Sequence, residues 1–332
     1  MHKNKLILKP NFDCTNDTNF ILEKKENSFL YDSIFIEYQK EYKKNFFYKD
    51  ISFKLTSNTK DELYFPITIE QKDNIRSFNF YGNPIILNNF KLNNSIQKDD
   101  VIEIINNILR DQKVEDFYCK KYFDIQDNYR DLVEKYESIL ESIVLENSIN
   151  LENSLEDIKR GFSKGHKSAL KKNFPNLIYE IFDCTNYKKN QIFEMQFLHE
   201  TVSGKKTRSK NSWEINEKMV QAGLGILIKV SDKEKTLSYT LIYFNKFEAL
   251  YFSSVTLREV FKLYNNITHK IIWKAVEYLK KKNRKVFHLG VCKTLFCKSN
   301  DDQKLRNIEL FKSSFGGDKK LCATFNKISN FL

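Results

Sequence analysis

Apolar positions along this chain recur at two spacings, and the second half shows the alternation most plainly. Ser154 stands three residues ahead of Asp157, a capping-box arrangement, and Leu155, Ile158, Phe162, Ala169 and Leu170 then return at near-helical spacing. Gly161 and Gly165 loosen the middle of that helix. A strand is predicted over residues 177–182 and a helix over 190–202, followed by a polar loop over 203–211. A further helix starts at Ser212 and carries Trp213, Ile215, Met219 and Val220. Residues 224–230, 236–244 and 247–255 read as a three-stranded meander, joined through 231–235 and the Asn245-Lys246 turn. Ile267, Ile271, Ile272, Ala275, Val276 and Leu279 mark the buried stripe of a helix over 266–282. Residues 285–289 and 323–328 read as closing strands.

The first half repeats this order more faintly. A helix is predicted near 28–44, strands at 46–56, 62–71 and 75–81, a helix at 98–112 and a strand at 114–123, with Pro66 making the second strand irregular. Leading helix, meander, helix, strand resembles the acyl-CoA N-acyltransferase (GNAT) core. The expected fold is therefore α/β (α+β), with two tandem GNAT-like domains, mixed sheets and a cleft between them. Residues 1–150 form the acceptor side in this reading, and residues 151–332 the donor and catalytic side.

A length of 332 residues suits two domains, each able to bury a core. The longest apolar runs, such as Leu224-Gly225-Ile226-Leu227-Ile228, are too short to cross a bilayer, and the amino terminus does not read as a signal peptide. Six scattered cysteines without a Cys-x-x-Cys pair suit reduced thiols, so a cytoplasmic location is expected. His288, Cys292 and Cys297 raise the question of zinc, but no fourth ligand stands near them, and no metal is expected. The formal charge of +12 permits a phosphate-rich partner. It does not identify one, because lysine is abundant throughout.

The chemistry concentrates between Lys285 and Gly317. An apolar strand ending in His288-Leu289 runs into Gly290, where the missing side chain lets other groups approach the backbone. Phe311-Lys312-Ser313-Ser314-Phe315-Gly316-Gly317 follows after a polar loop. A lysine between aromatics suits a site in which rings pack on a ligand and an ammonium meets a phosphate or a developing negative charge. It equally suits a lysine snorkelling from a core.

Three segments resemble the Fem-type family, whose best-known members add amino acids to the peptidoglycan interpeptide bridge, and its GNAT-fold relatives. The first is Ile149-Asn150-Leu151 with the basic helix Phe162-Ser163-Lys164-Gly165-His166-Lys167. The second is Leu263-Tyr264-Asn265-Asn266 leading into Ile271-Ile272-Trp273. The third is His288-Leu289-Gly290 with Leu310-Phe311-Lys312-Ser313-Ser314-Phe315-Gly316. The resemblance implies that Lys312 stabilises the donor near the reacting ester and that Phe311 contacts the donor's end. The chain departs from the family in having a single glycine at Gly290-Val291-Cys292 and a longer loop before Phe311.

Beside that resemblance, Lys164 and Lys167 on the basic helix, and Lys205 and Arg208 on the loop, are candidate phosphate contacts, with a solvated basic face as the plain alternative. His288 is a candidate general base, against a structural histidine. Tyr251 and Ser253, two apart on a strand, are expected on one side of the sheet, lining the site with Asn266. The resulting reading is an acyltransferase. It moves an acetyl, acyl or aminoacyl group from acyl-CoA or aminoacyl-tRNA to an amine on a cell-envelope glycan, amino-sugar nucleotide or peptidoglycan precursor, the acceptor being nucleotide-linked or lipid-linked. The donor is consumed, and no permanently bound cofactor is expected. The loop 258–266 lacks the glycine that a CoA pyrophosphate cradle ordinarily uses. The alternative is a non-catalytic module holding a nucleotide sugar or RNA on the same duplicated fold.

Overall fold

The computed structural model describes residues 12–15, 28–57, 62–86, 105, 107–123, 140–233, 235–264, 266–293 and 303–325. In the first half, β1 (Phe12–Thr15) and the helix α1 (Ser33–Tyr42) precede β2 (Phe47–Asp50), β3 (Phe53–Ser57), β4 (Glu62–Phe65), β5 (Thr68–Lys72), β6 (Ile75–Asn79) and β7 (Ile85–Ile86). Helical residues 107–111 then lead to β8 (Asp116–Phe117) and β9 (Cys119–Phe123). The second half opens with the long strand β10 (Leu140–Asn150), followed by α2 (Leu155–Gly161), α3 (Lys164–Lys171), β11 (Ile178–Phe182), α4 (Gln191–Ser203) and α5 (Lys210–Gln221). The meander β12 (Gly225–Ser231), β13 (Thr236–Phe244) and β14 (Glu248–Thr256) comes next. Then follow α6 (Val260–Leu263), α7 (Ile267–Lys281), β15 (Val286–Lys293), α8 (Gln303–Ser313) and β16 (Asp318–Phe325).

Among the described residues the strands form three sheets. The largest runs β11-β12-β13-β14-β15-β10-β16-β9-β7, with β2-β5-β6-β8 and β1-β3-β4 beside it. The repeat read from element order is visible in the pairing. In the second half an antiparallel meander is followed by α7 and a return strand, β15, that runs parallel to β14. In the first half β5 and β6 are antiparallel, and after the helical stretch β8 runs parallel to β6. The chain of β8 and β9 belongs to the smaller sheet over Asp116–Phe117 and to the large one over Cys119–Phe123. Among the described residues the architecture is mixed α/β, with an antiparallel run and a parallel return strand in each half and no barrel.

The large sheet is covered on both faces. On one face, α7 buries Ile267, Ile271, Ile272, Ala275, Val276 and Leu279 against Phe287, Leu289 and Ile149, with Ile158 of α2 alongside. At about 1.5–3 kcal/mol for each large aliphatic side chain fully removed from water, this stripe stabilises the helix far more than its propensity does. On the other face, Trp213 and Val220 of α5 join Ile192, Met195 and Leu198 of α4. Phe35 and Tyr38 of α1 pack there on Met219 and Tyr243, so the first half reaches onto the second.

Several predicted elements take different forms. The helix beginning after Ser154 divides at Gly161–Ser163 into α2 and α3, each with its own serine cap: Ser154 Oγ accepts from Asp157 N and Ser163 Oγ from His166 N. Either side of Pro66, the predicted strand divides into β4 and β5. The strand predicted to stop at Leu289 continues to Lys293. The stretch before Phe311, expected as a loop, is the helix α8 from Gln303. Asn265, Cys297 and the 98–104 part of the first-half helix lie outside the described residues.

Candidate active site

Two adjacent strands part company at the centre of the large sheet. β14 and β15 pair in parallel over Glu248–Val286, Ala249–Phe287 and Leu250–His288. Beyond that point each strand continues, to Thr256 and Lys293, and the two no longer share hydrogen bonds. Each also carries an irregularity at the parting. β14 has one extra residue, Phe252, against Leu241 and Ile242 of β13. β15 has one extra residue, Leu289, against Asn147 and Ser148 of β10. A bulge re-aims the side chains that follow it.

On the α7 face, the gap carries Gly290, Lys312 and Phe311. Gly290 has φ +98°, and a Cβ there would stand 2.9 Å from Lys312 Nζ. The glycine therefore supplies both the backbone conformation and the space for the ammonium. Lys312 lies in the last turn of α8 and makes no ion pair among the described residues. Burial pushes its pKa below the ordinary lysine value, opposed by Cys292 and Glu309 nearby. The negative end of the α8 dipole adds a mild attraction for the cation.

The end of α8 is held by several other elements. Asn147 Nδ2 of β10 donates to the Lys312 carbonyl at 2.7 Å. His166 Nε2 of α3 lies 3.1 Å from the Phe311 carbonyl, and Ser163 N donates to Ser314 O at 2.9 Å. A carbonyl can only accept, so His166 carries its proton on Nε2. The turn after the helix is pressed onto its neighbours: Cβ atoms at Gly316 and Gly317 would fall 2.3 Å from Gly161 O and 2.1 Å from Ser148 O. The Phe311 ring meets His166, His269 and Phe315 edge-on or tilted, with centroids 5.6, 5.2 and 5.0 Å away. His166 and His269 themselves stand 4.3 Å apart. Burial lowers both, and the nearby His166 helps to push His269 down to about 4.

The opposite face of the gap is polar. His288 pairs with Ser148 in the ladder, whereas Gly290 pairs with Asn147, so the bulge at Leu289 leaves His288 and Lys312 on opposite faces of the sheet. The two candidate residues, one for the donor and one as general base, thus face different sides of the sheet. His288 Nε2 bonds Glu248 Oε2 at 2.9 Å, and Glu248 Oε1 accepts from Phe29 N of the first half at 2.6 Å. On the same face Glu146 holds Lys120 and Tyr122, each at 2.8 Å. Burial works to raise the Glu146 carboxyl, but Lys120 and Tyr122 outweigh it and keep it below its ordinary value.

The bulge at Phe252 has a similar consequence. Tyr251 opposes Ile242 and faces α7, while Ser253 opposes Leu241 and faces α5. The expectation that Tyr251 and Ser253 share a side is thus corrected, because the extra residue breaks the two-residue alternation. Ser253 Oγ accepts from Arg208 Nη1 at 3.0 Å, and the Arg208 guanidinium lies 4.9 Å from the Trp213 ring. Asn266 is buried and faces inward, its Nδ2 donating to the carbonyls of Ala169 and Lys172 at the end of α3. That is a structural cap rather than a site-lining position. Lys164 and Lys205 are exposed and Lys167 half-exposed. Cys292 faces the α7 side, opposite to His288, and no group of metal-ligating side chains forms among the described residues.

No family model and no curated protein sequence matches the chain. Solved structures do. FemX superposes over 96% of this chain and 98% of its own, with a TM-score of 0.61 and 12% sequence identity. L-PGS from Bacillus licheniformis covers 96% and 94%, with a TM-score of 0.53 and 10% identity. The chain has the FemX fold. The resemblance read from the Phe311-Lys312 motif is met by a likeness of backbone along nearly the whole length. Within the FemX fold, Gly290, Phe311 and Lys312 come together as a group. Sequence reasoning missed Asn147, His269 and Glu248, and it placed His166 in the basic helix without giving it a role. Asn147 and Glu248 are polar residues inside strand patterns, and only their partners, distant in sequence, give them meaning.

Proposed function

We propose that this chain is an acyltransferase that moves an acyl or aminoacyl group onto a primary amine of a cell-envelope glycan, amino-sugar nucleotide or peptidoglycan precursor. The observation that carries the reading is the half-buried ammonium of Lys312, without an ion pair among the described residues, over Gly290 at the opening between β14 and β15. A donor carbonyl lying in that opening meets a cation where an oxyanion develops, and Phe311 packs on the donor's end. Attack of the neutral amine forms a C–N bond and a tetrahedral oxyanion, which Lys312 stabilises. Collapse breaks the donor's C–O or C–S bond, and the leaving oxygen or sulfur takes up a proton from solvent to balance the one the amine gives up, releasing the alcohol or thiol.

The acceptor approaches from the other face. His288, oriented by Glu248, stands where the strands part and takes the proton that the amine loses. Arg208, stacked on Trp213 and joined to β14 through Ser253, is the anchor for a phosphate of the acceptor, with Lys205 on the same loop. Between donors, the geometry favours an aminoacyl-tRNA ester over a CoA thioester. The segment after β14 holds no glycine, the short helix α6 fills it, and the Asn266 side chain turns inward at the start of α7. A backbone cradle for a pyrophosphate is therefore absent among the described residues there.

The test is transfer by the purified protein from charged tRNA or acyl-CoA to a panel of amino-sugar nucleotides and peptidoglycan precursors. The reading expects one donor class to be productive. Tight ligand binding with no transfer from either donor would favour a non-catalytic module.

A further inference from the structure

We propose that Asn147 is a positioning residue for Lys312, its amide fixing the end of α8 so that the ammonium stands over Gly290. This rests on the reading of Lys312 as the group that meets the donor carbonyl. Asn147 lies in β10 with only 1% of its surface exposed, directly opposite Gly290 across the bulge. Its neighbours on the same face, two residues away on either side, are Leu145 and Ile149. An apolar side chain would be the stable choice in that row. Instead the amide donates 2.7 Å to the Lys312 carbonyl, and its Oδ1 is buried without a partner. A buried acceptor without a partner loses its hydration with nothing in return, so stability alone does not account for an asparagine here.

The direction of the amide is fixed, since only its N–H side can face a carbonyl. The bond also matters locally. Carbonyls in the last turn of a helix lack intrahelical partners. The other donor to Lys312 O is Phe315 N, at a longer 3.3 Å. His166 and Ser163 hold the flanking carbonyls of Phe311 and Ser314, while Asn147 is the side chain that bonds Lys312 itself. From that carbonyl the side chain extends back over Gly290, beside Cys292 and Glu309. Releasing the anchor lets the last turn shift and the ammonium swing towards water. A misplacement of about 1 Å at a reacting centre is enough to cost roughly a hundredfold in rate.

The test uses Asn147→Ala together with Asn147→Leu, which keeps the volume and removes the donor. Competitive labelling of the intact protein with acetic anhydride across pH, read at the Lys312 peptide by mass spectrometry, reports the titration of Lys312 without any substrate. In the native protein Lys312 is expected to titrate below ordinary lysines, and in both variants to move back towards them. Turnover should fall about 10- to 100-fold, with the donor KM changed less than about threefold. An unchanged Lys312 titration in both variants overturns the proposal. So does a loss of turnover that only follows a lower Tm, with no split between kcat and KM. Normal turnover in Lys312→Ala would instead overturn the active-site reading, and the labelling result would still decide whether Asn147 positions the lysine.

Discussion

Lys312 and Gly290 act as a pair, because the space one occupies exists only through what the other lacks. Lys312→Ala should lower turnover by about a hundredfold or more, the scale of losing a preorganised group at a developing oxyanion. It should leave Tm nearly unchanged, since the amine makes no ion pair among the described residues. Because burial depresses the lysine's pKa, the cation is lost at lower pH than for an ordinary lysine. Turnover should therefore fall on the alkaline side earlier than free lysine chemistry predicts, and a pH–rate profile checks this. Gly290→Ala introduces a Cβ at φ +98° and 2.9 Å from Nζ. The expected result is a loss of about 1–3 kcal/mol in stability from backbone strain, read by denaturant unfolding, together with a displaced ammonium and reduced turnover.

At the scale of elements, the closing motif works because a helix end is gripped from β10, α2 and α3. His166→Gln retains an N–H at the position of Nε2 and should keep donor KM near normal, whereas His166→Ala should raise it by loosening Phe311. Steady-state kinetics on the two variants separates the bond from the bulk of the ring. The His166–His269 contact also carries a pH signature. The folded value of His269 lies at about 4, below its ordinary 6.5, so the unfolded chain binds the proton first. Stability is then full above about 6.5 and falls as pH drops towards 4, and a Tm series should follow that slope; His269→Phe should flatten it. The meander, α7 and the duplicated order were legible because they rest on long apolar periods. α8 was not, since its apolar residues Leu305, Ile308, Leu310 and Phe311 are sparse and unevenly spaced among polar ones. The two bulges were invisible for a related reason. A single inserted residue changes which face a side chain takes, yet leaves the alternating pattern looking intact, and so Ser253 was expected on the same side as Tyr251.

Across the whole molecule, the large sheet takes strands from both halves, and β10 lies between β15 and β16 at its centre. The first half contributes Phe29 N to Glu248, Asp32 to Tyr243 and Glu41 to Ser209, so it sits directly over the polar face of the gap. In the proposed reading the acceptor enters at this seam and the donor lies on the α7 side. The candidate residues Gly290, Phe311 and Lys312 were legible as a motif, while the placement of Lys312 and His288 on opposite faces needed the fold. The most direct measurement is single-turnover transfer from charged tRNA and from acyl-CoA to amine acceptors, by the native protein and by Lys312→Ala with its fold confirmed by circular dichroism. The account predicts product from one donor class and a loss of about a hundredfold or more in the variant. Equal transfer by both proteins would contradict it.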